Sequence, residues 1–177
     1  LVKQARYLSV KVHQQTIQRN GCKQPGQITD KFPWKANDTD DRISILKADL
    51  DKITATRDSM SGGEYEDKTS GWAGKLSETW ERTIRSDVIY RVVDRSTTEV
   101  KPMLVRILAR ISDEDYEDFD KGYSATSTWA RRHDKSEEVS YVAPEPDEMK
   151  HELNRLKEWH KRVKGYASKP WTPTGRQ

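Results

Sequence analysis

Two short segments of this chain carry residue types that can move protons and hold phosphate groups. In the first, residues 78–85, glutamates and arginines recur at helical spacing. Residues four apart share a face of a helix, so Glu78 lies beside Arg82. Glu81 lies beside Arg85 for the same reason. Facing a cleft, such a pair supplies a general base and a cation for phosphoryl charge. Facing solvent, the same residues form two surface ion pairs worth about 0.3–0.5 kcal/mol each.

The second segment, residues 129–134, places a histidine among charged groups. His133 follows Arg131 and Arg132 and precedes an aspartate. A histidine in such a setting titrates near neutrality, as a general acid or base must. A helix C-terminus is the alternative explanation, because the helix dipole favours arginine and histidine there.

Glu81, Arg82 and His133 together contain the groups that a metal-independent ribonuclease needs, and we take them as the candidate catalytic set. One group deprotonates the 2′-hydroxyl, a second protonates the leaving 5′-oxygen, and a cation holds the phosphate. The single cysteine and four scattered histidines show no metal-ligand spacing, so we expect no metal site. Glycine-rich nucleotide-binding motifs are absent from the sequence, so we expect no cofactor on this chain itself.

Local clusters of basic residues are the candidate sites for nucleic acid. The 32 basic and 29 acidic residues leave a net charge of only +3, so a phosphate-binding face has to be local. The candidates are Arg85, Arg106, Arg110, Arg131, Arg132 and Lys135. One alternative is helix faces that form ion pairs in solvent. Another is direct sensing of DNA through the arginines near Arg106 and Arg131.

Apolar side chains at helical spacing predict the elements that position these residues. One stripe predicts a helix over residues 39–58, which Ser61-Gly62-Gly63 ends. The clearest stripe predicts a second helix over residues 65–93. We expect Gly71 and Gly74 within it to admit a neighbouring element close to Trp72.

Further helices are predicted in the C-terminal part of the chain. A helix start at Pro102 turns Met103, Ile107 and Ile111 inward. A capping-box pattern beginning at Ser112 then opens another helix. We expect Asp147 to cap a final helix, whose apolar stripe runs over residues 149–163 and which ends near the glycine at 165.

The predicted fold is mainly α, with about four to five helices preceded by one short strand. Alternation over residues 10–17 predicts that strand, and residues 21–35 read as a loop. A single strand cannot satisfy its hydrogen bonds alone, so we expect its sheet to come from another part of the protein or another chain. The predicted divisions are residues 1–36, a helical module over 37–168 and a flexible tail over 169–177.

The composition predicts a folded domain with a thin core. Leu, Ile, Val and Phe supply 31 of the 177 residues, and mean hydropathy is −1.02. Six tryptophans and seven tyrosines supply apolar surface that compensates for the small number of aliphatic residues in the core. No apolar run is long enough to cross a bilayer, and one cysteine allows no internal disulfide. We therefore expect a cytoplasmic protein without a membrane partner.

Several short motifs, taken in order, resemble the C-terminal region of bacterial ABC/AAA-type ATPases of the anticodon-nuclease kind, the RloC- and PrrC-like defence proteins. The matching stretches are residues 32–36, 42–47, 76–82, 111–116, 129–134 and 144–149. The resemblance implies that residues 1–30 end an ATPase core, whose ATP-binding loop and Mg-dependent ATP hydrolysis belong to the missing N-terminal part. It also implies an oligomer whose partners are the remaining ATPase core or a second chain.

The resemblance further implies a function for the helical module. Such a module engages RNA, with tRNA as the substrate class, and cleaves it under control of the ATPase. The family pattern of Arg-x-x-x-Glu followed by His fits Glu81 and His133, but its arginine position falls on Ser77. The alternative is a non-catalytic helical module that docks partner subunits through tryptophan and tyrosine faces.

Overall fold

The computed structural model describes residues 15–18, 26–29, 33–130 and 141–168. The chain divides into two compact units between Asp38 and Thr39. The described residues are mainly helical, which confirms the predicted fold class. None of the helices in these ranges has the length and apolar character needed to cross a membrane.

The first unit contains a short β-hairpin. Strand β1 (Thr16–Gln18) pairs antiparallel with β2 (Gln27–Thr29), and Ile17 stands opposite Ile28. The expectation of a strand without a partner in this chain is therefore wrong, because the predicted loop supplies three pairing residues around a β-branched cross-strand pair. A 3-10 turn, Trp34–Ala36, follows the hairpin.

Helix α1 (Thr39–Thr56) begins the second unit and confirms the predicted helix over residues 39–58. Two aspartates in its first turn complement the helix dipole. Its stripe Leu46, Leu50 and Ile53 is buried. A short 3-10 turn, Arg57–Ser59, then ends the helix.

Helix α2 (Gly62–Thr83) begins at the glycines that were expected to end its predecessor. The hydroxyl of Ser61 accepts a hydrogen bond from the Glu64 amide at 3.2 Å and caps the helix. The chain then continues through a π-helical segment, Ile84–Ile89, and a short α-helical turn, Tyr90–Val92. The stripe from 65 to 93 thus forms one long helical element, as predicted, with an unpredicted π segment inside it.

A nine-residue 3-10 helix, Pro102–Arg110, follows an isolated bridge between Val93 and Val100. Ile107 is fully buried, but Met103 is 74% exposed, so the predicted inward position of Met103 is wrong. The cause is the helix type. With three residues per turn, positions four apart lie about 120° apart and do not share a face.

Helix α3 (Asp113–Trp129) and helix α4 (Pro146–Gly165) complete the second unit. The capping box of Ser112 and Asp115 is present as predicted. Helix α4 is capped by Glu145 rather than Asp147, because Pro146 occupies its first turn. Its predicted stripe is buried, and it comprises Met149, Leu153, Leu156, His160 and Val163.

Helices α1 and α4 run antiparallel. Asp40 at the start of α1 contacts Lys164 at the end of α4, and Arg57, just after α1, contacts Glu145, just before α4. Helix α2 packs against α1 and α3, and α4 also packs against both of these helices. The close approach between helices occurs at Gly122 of α3. Our expectation that it would occur at Gly71 or Gly74 of α2 is wrong.

An aromatic cluster fills the core beside Gly122. The Trp80 ring meets Phe119 at 5.8 Å and Trp159 at 5.4 Å, both edge-on. A Cβ atom at position 122 would lie 2.5 Å from Cζ2 of Trp80, so only glycine lets α3 approach this closely. The helix carrying the candidate residues 78–85 is thereby fixed against α3 and α4.

Candidate nucleic-acid-binding site

Arg42 lies on the buried stripe of α1, four residues before Leu46. Its side chain is only 4% exposed, and Nη1 donates to the backbone carbonyl of Glu78 on α2 at 3.5 Å. A guanidinium in this position is unusual, because arginine is almost never fully buried unless it is paired.

Two further arginines of the long helix lie near Arg42. Glu78 and Arg82 share a face of α2, and Arg85 follows in the π segment. Burial, together with the charges of Arg82 and Arg85, lowers the pKa of Arg42 to about 10, and the charge of Glu78 acts in the opposite direction. Arg42 still carries its charge at neutral pH.

This arginine cluster, Arg42, Arg82, Arg85 and Glu78, combines three positive charges with one negative charge. Guanidinium groups bind phosphate oxygens through paired N–H donors. Partial burial strengthens the interaction, because fewer waters screen the charges. Arg82 and Arg85, which are more exposed than Arg42, are therefore suited to contact an oxyanion such as a backbone phosphate, and the buried Arg42 adds positive charge near them.

Glu81 lies on the exposed side of the same helix and is held by α3. Tyr123 donates its hydroxyl hydrogen to Oε1 of Glu81 at 3.0 Å. The Tyr123 ring stacks on Phe119 with centroids 5.5 Å apart. The carboxylate is thus accessible and oriented, which a general base requires.

Ser77 occupies the position where the family resemblance expects an arginine. The side chain is fully buried, and its Oγ lies 3.1 Å from Oγ of Ser127 on α3. An arginine here would have to enter the interface between α2 and α3. The serine that stands in place of the expected arginine is therefore part of the packing between these helices.

The remaining sequence candidates fall into two groups. Arg106 donates to the carbonyl of Ala167 at 2.9 Å, and Arg110 donates to the carbonyl of Tyr166. These two arginines thus satisfy carbonyl groups beyond the C-terminus of α4 and lie apart in sequence from the arginine cluster. The other candidates lie outside the described residues, and they are Arg131, Arg132, His133 and Lys135.

A polar cluster around the buried His160 joins α1, the π segment and α4, and its Asp40 is largely exposed. Nε2 of His160 lies 3.2 Å from Oδ2 of Asp87, and Nδ1 lies 3.5 Å from Oδ1 of Asp40. Thr39 donates to the same Asp87 oxygen at 2.9 Å. Because both ring nitrogens face carboxylates, the histidine links three elements rather than presenting a free nitrogen to a substrate.

Sequence reasoning missed Arg42 and Tyr123 as members of the site. Arg42 could have been found as the one charged residue on an otherwise apolar stripe of α1. The Tyr123 contact joins residues 42 apart in sequence, so spacing within one helix cannot reveal it. Within the described ranges, no group of three or more histidine, cysteine, aspartate or glutamate residues is placed to hold a metal ion.

Comparison with known proteins returned no match: no family model, no curated protein and no solved structure is similar to this chain.

Proposed function

We propose that the helical unit engages RNA by binding backbone phosphates at the arginine cluster. The observation that carries this proposal is the proximity of Arg82 and Arg85 to Arg42, which donates to the backbone carbonyl of Glu78. Phosphate contacts supply most of the affinity of proteins for nucleic acid without reading sequence. RNA rather than DNA follows from the resemblance to anticodon nucleases.

The proposal extends from binding to cleavage of the bound RNA. Glu81 acts as the general base on the 2′-hydroxyl, Arg82 holds the phosphate, and His133 protonates the leaving oxygen. The exposed carboxylate of Glu81, oriented by Tyr123, supports this assignment.

Control of the helical unit by an ATPase core, with its ATP and Mg, follows from the resemblance alone. Sequencing the reading frame upstream of Leu1 for a phosphate-binding loop tests that control.

The binding test measures fluorescence anisotropy of a labelled single-stranded RNA and of tRNA as salt is varied. We expect Arg82→Gln and Arg85→Gln each to weaken binding about tenfold. Each should also reduce the slope of log affinity against log salt by about 0.7 for the single strand. Arg95→Gln is the matched control, since Arg95 is exposed and stacks on Tyr90 instead. Absence of RNA binding by the wild-type chain at low salt would contradict the proposal.

The cleavage test separates catalysis from binding. Glu81→Ala and His133→Ala should abolish tRNA cleavage while far-ultraviolet circular dichroism and RNA affinity stay unchanged. Tyr123→Phe, which removes only the hydroxyl that orients Glu81, should reduce cleavage partially. Unchanged cleavage by both the Glu81 and His133 variants rules out the catalytic form and leaves RNA binding.

A second candidate function is assembly with other protein subunits. The 3-10 helix Pro102–Arg110 favours it, because Met103, Val105 and Leu108 on this helix are exposed to solvent. Large apolar side chains grouped on one surface are typical of protein contacts.

A further inference from the structure

The 3-10 helix presents an ordered apolar stripe rather than scattered apolar residues. With three residues per turn, Pro102, Val105 and Leu108 form one row. Val105 is 43% exposed and Leu108 48%, and Met103 in the adjacent row is 74% exposed. Ile107 in the third row points into the core and anchors the helix. The stripe is therefore held firmly and faces outward.

Basic residues flank this stripe along the sequence, and one of them, Lys101, pairs with Asp94 at 3.6 Å. Residues 101–110 include Lys101, Arg106 and Arg110 and no acidic residue. Both arginines donate to carbonyl groups beyond the end of α4, which fixes their charges beside the stripe. We call this surface the basic apolar face, defined by Lys101, Pro102, Met103, Val105, Arg106, Leu108 and Arg110.

The first turns of α3 have the opposite character. Residues 113–120 include six acidic residues and no basic one. Two of the six, Asp115 and Asp118, bind Arg162 inside the fold. An exposed row of α3 carries three of the other four together with a tyrosine that is 63% exposed, and Glu117 in this row also pairs with Lys121 at 3.0 Å. We call this row, spaced three and four residues apart, the acidic tyrosine face, and it consists of Asp113, Tyr116, Glu117 and Asp120.

We propose that the basic apolar face of one copy of this chain binds the acidic tyrosine face of a second copy. Opposite charges match across such a contact, and the Tyr116 ring covers the apolar stripe around Leu108. Each face repels a copy of itself, so the contact joins two different surfaces. The inference rests on the assembly function above and gives it a definite partner.

The wild-type chain should therefore associate in a salt-dependent way. At about 100 µM protein and about 50 mM salt, sedimentation velocity should show dimers or larger species, which dissociate toward monomers at about 0.5 M salt. Leu108→Glu disrupts one face and Tyr116→Lys the other, so each variant alone should be monomeric. Both positions are exposed, and circular dichroism verifies that the variants fold.

Mixing the two variants provides the decisive measurement. Leu108→Glu keeps an intact acidic tyrosine face and Tyr116→Lys keeps an intact basic apolar face, so an equal mixture should form a one-to-one dimer and nothing larger. Thr54→Glu and Asp51→Lys on exposed positions of α1 introduce the same new side chains elsewhere and should assemble like the wild type. A monomeric wild type, a single variant that still assembles, or a mixture that stays monomeric overturns the proposal.

RNA affinity distinguishes this inference from the RNA-binding proposal. Both faces exclude Arg42, Arg82 and Arg85, so the monomeric variants should retain the anisotropy response to RNA. Failure of self-association with intact RNA binding overturns only the contact between copies. Assembly without RNA binding overturns only the phosphate site.

Discussion

The His160 imidazole and the Asp87 carboxylate meet in the interior of the helical unit, with Nε2 3.2 Å from Oδ2. Asp87 belongs to the π-helical segment, and His160 lies on the buried stripe of α4. π-Helical turns are rare and insert an extra residue into a helix. Here the segment carries the carboxylate that joins the long helix to α4.

The Asp87 contact predicts a specific dependence of stability on acid. Burial alone would raise the pKa of Asp87, but hydrogen bonds from His160 and Thr39 outweigh it and lower the pKa below its ordinary 3.8. A carboxyl group with a lowered pKa stabilises the fold above its ordinary value, and this contribution is lost as pH falls through the folded-state pKa. Asp87→Asn should therefore be less stable than the wild type at neutral pH, and the difference should shrink below about pH 4.

Urea unfolding of both proteins at about pH 7, 5 and 3 measures this difference. Asp51→Asn, an exposed carboxylate of α1, is the control and should change stability little at every pH. A difference between wild type and Asp87→Asn that stays constant down to the lowest pH would contradict the assignment.

Asp115→Ala should be among the most destabilising single substitutions in the chain. The buried carboxylate accepts from Arg162 at 2.7 Å, from Tyr166 at 2.8 Å and from the Ser112 amide at 3.0 Å. Removing it leaves a guanidinium and a tyrosine hydroxyl without their acceptor, which costs about 3–5 kcal/mol. Chemical denaturation measures the loss, and Glu114→Ala in the same first turn should cost less than about 0.5 kcal/mol. Equal effects of the two would exclude the network as a source of stability.

Regular helix periods made most of the fold predictable. The stripes of α1 and α4 follow a period near 3.6, and the capping box at Ser112 is purely local. The π segment and the 3-10 helix were not predictable, because their hydrogen bonding depends on what packs against them. The same limit applies to the site: Arg82 and Arg85 were identified by spacing, whereas Arg42 joins them only through the packing of α1 on α2.

Two glycines at helix-interior positions should respond in opposite directions to the same substitution. Gly122→Ala places a Cβ 2.5 Å from the Trp80 ring, and the fully buried ring has no room to move, so we expect a loss of about 1–3 kcal/mol. Gly71→Ala meets no atom within 4 Å and should stabilise α2 by up to about 1 kcal/mol. Thermal and urea unfolding measure both effects, and a stabilising Gly122→Ala would contradict the close approach of α3 to Trp80.

The 3-10 helix predicts contrasting effects for two apolar residues four positions apart. Ile107 is fully buried whereas Met103 is 74% exposed. Ile107→Ala should therefore cost about 2–5 kcal/mol, and Met103→Ala should change stability by less than about 0.5 kcal/mol. Unfolding is measured at about 0.5 M salt, so that contacts between copies do not contribute. An α-helix over the same residues would place both side chains on one face, and similar losses for the two variants would mean that this segment is α-helical in solution.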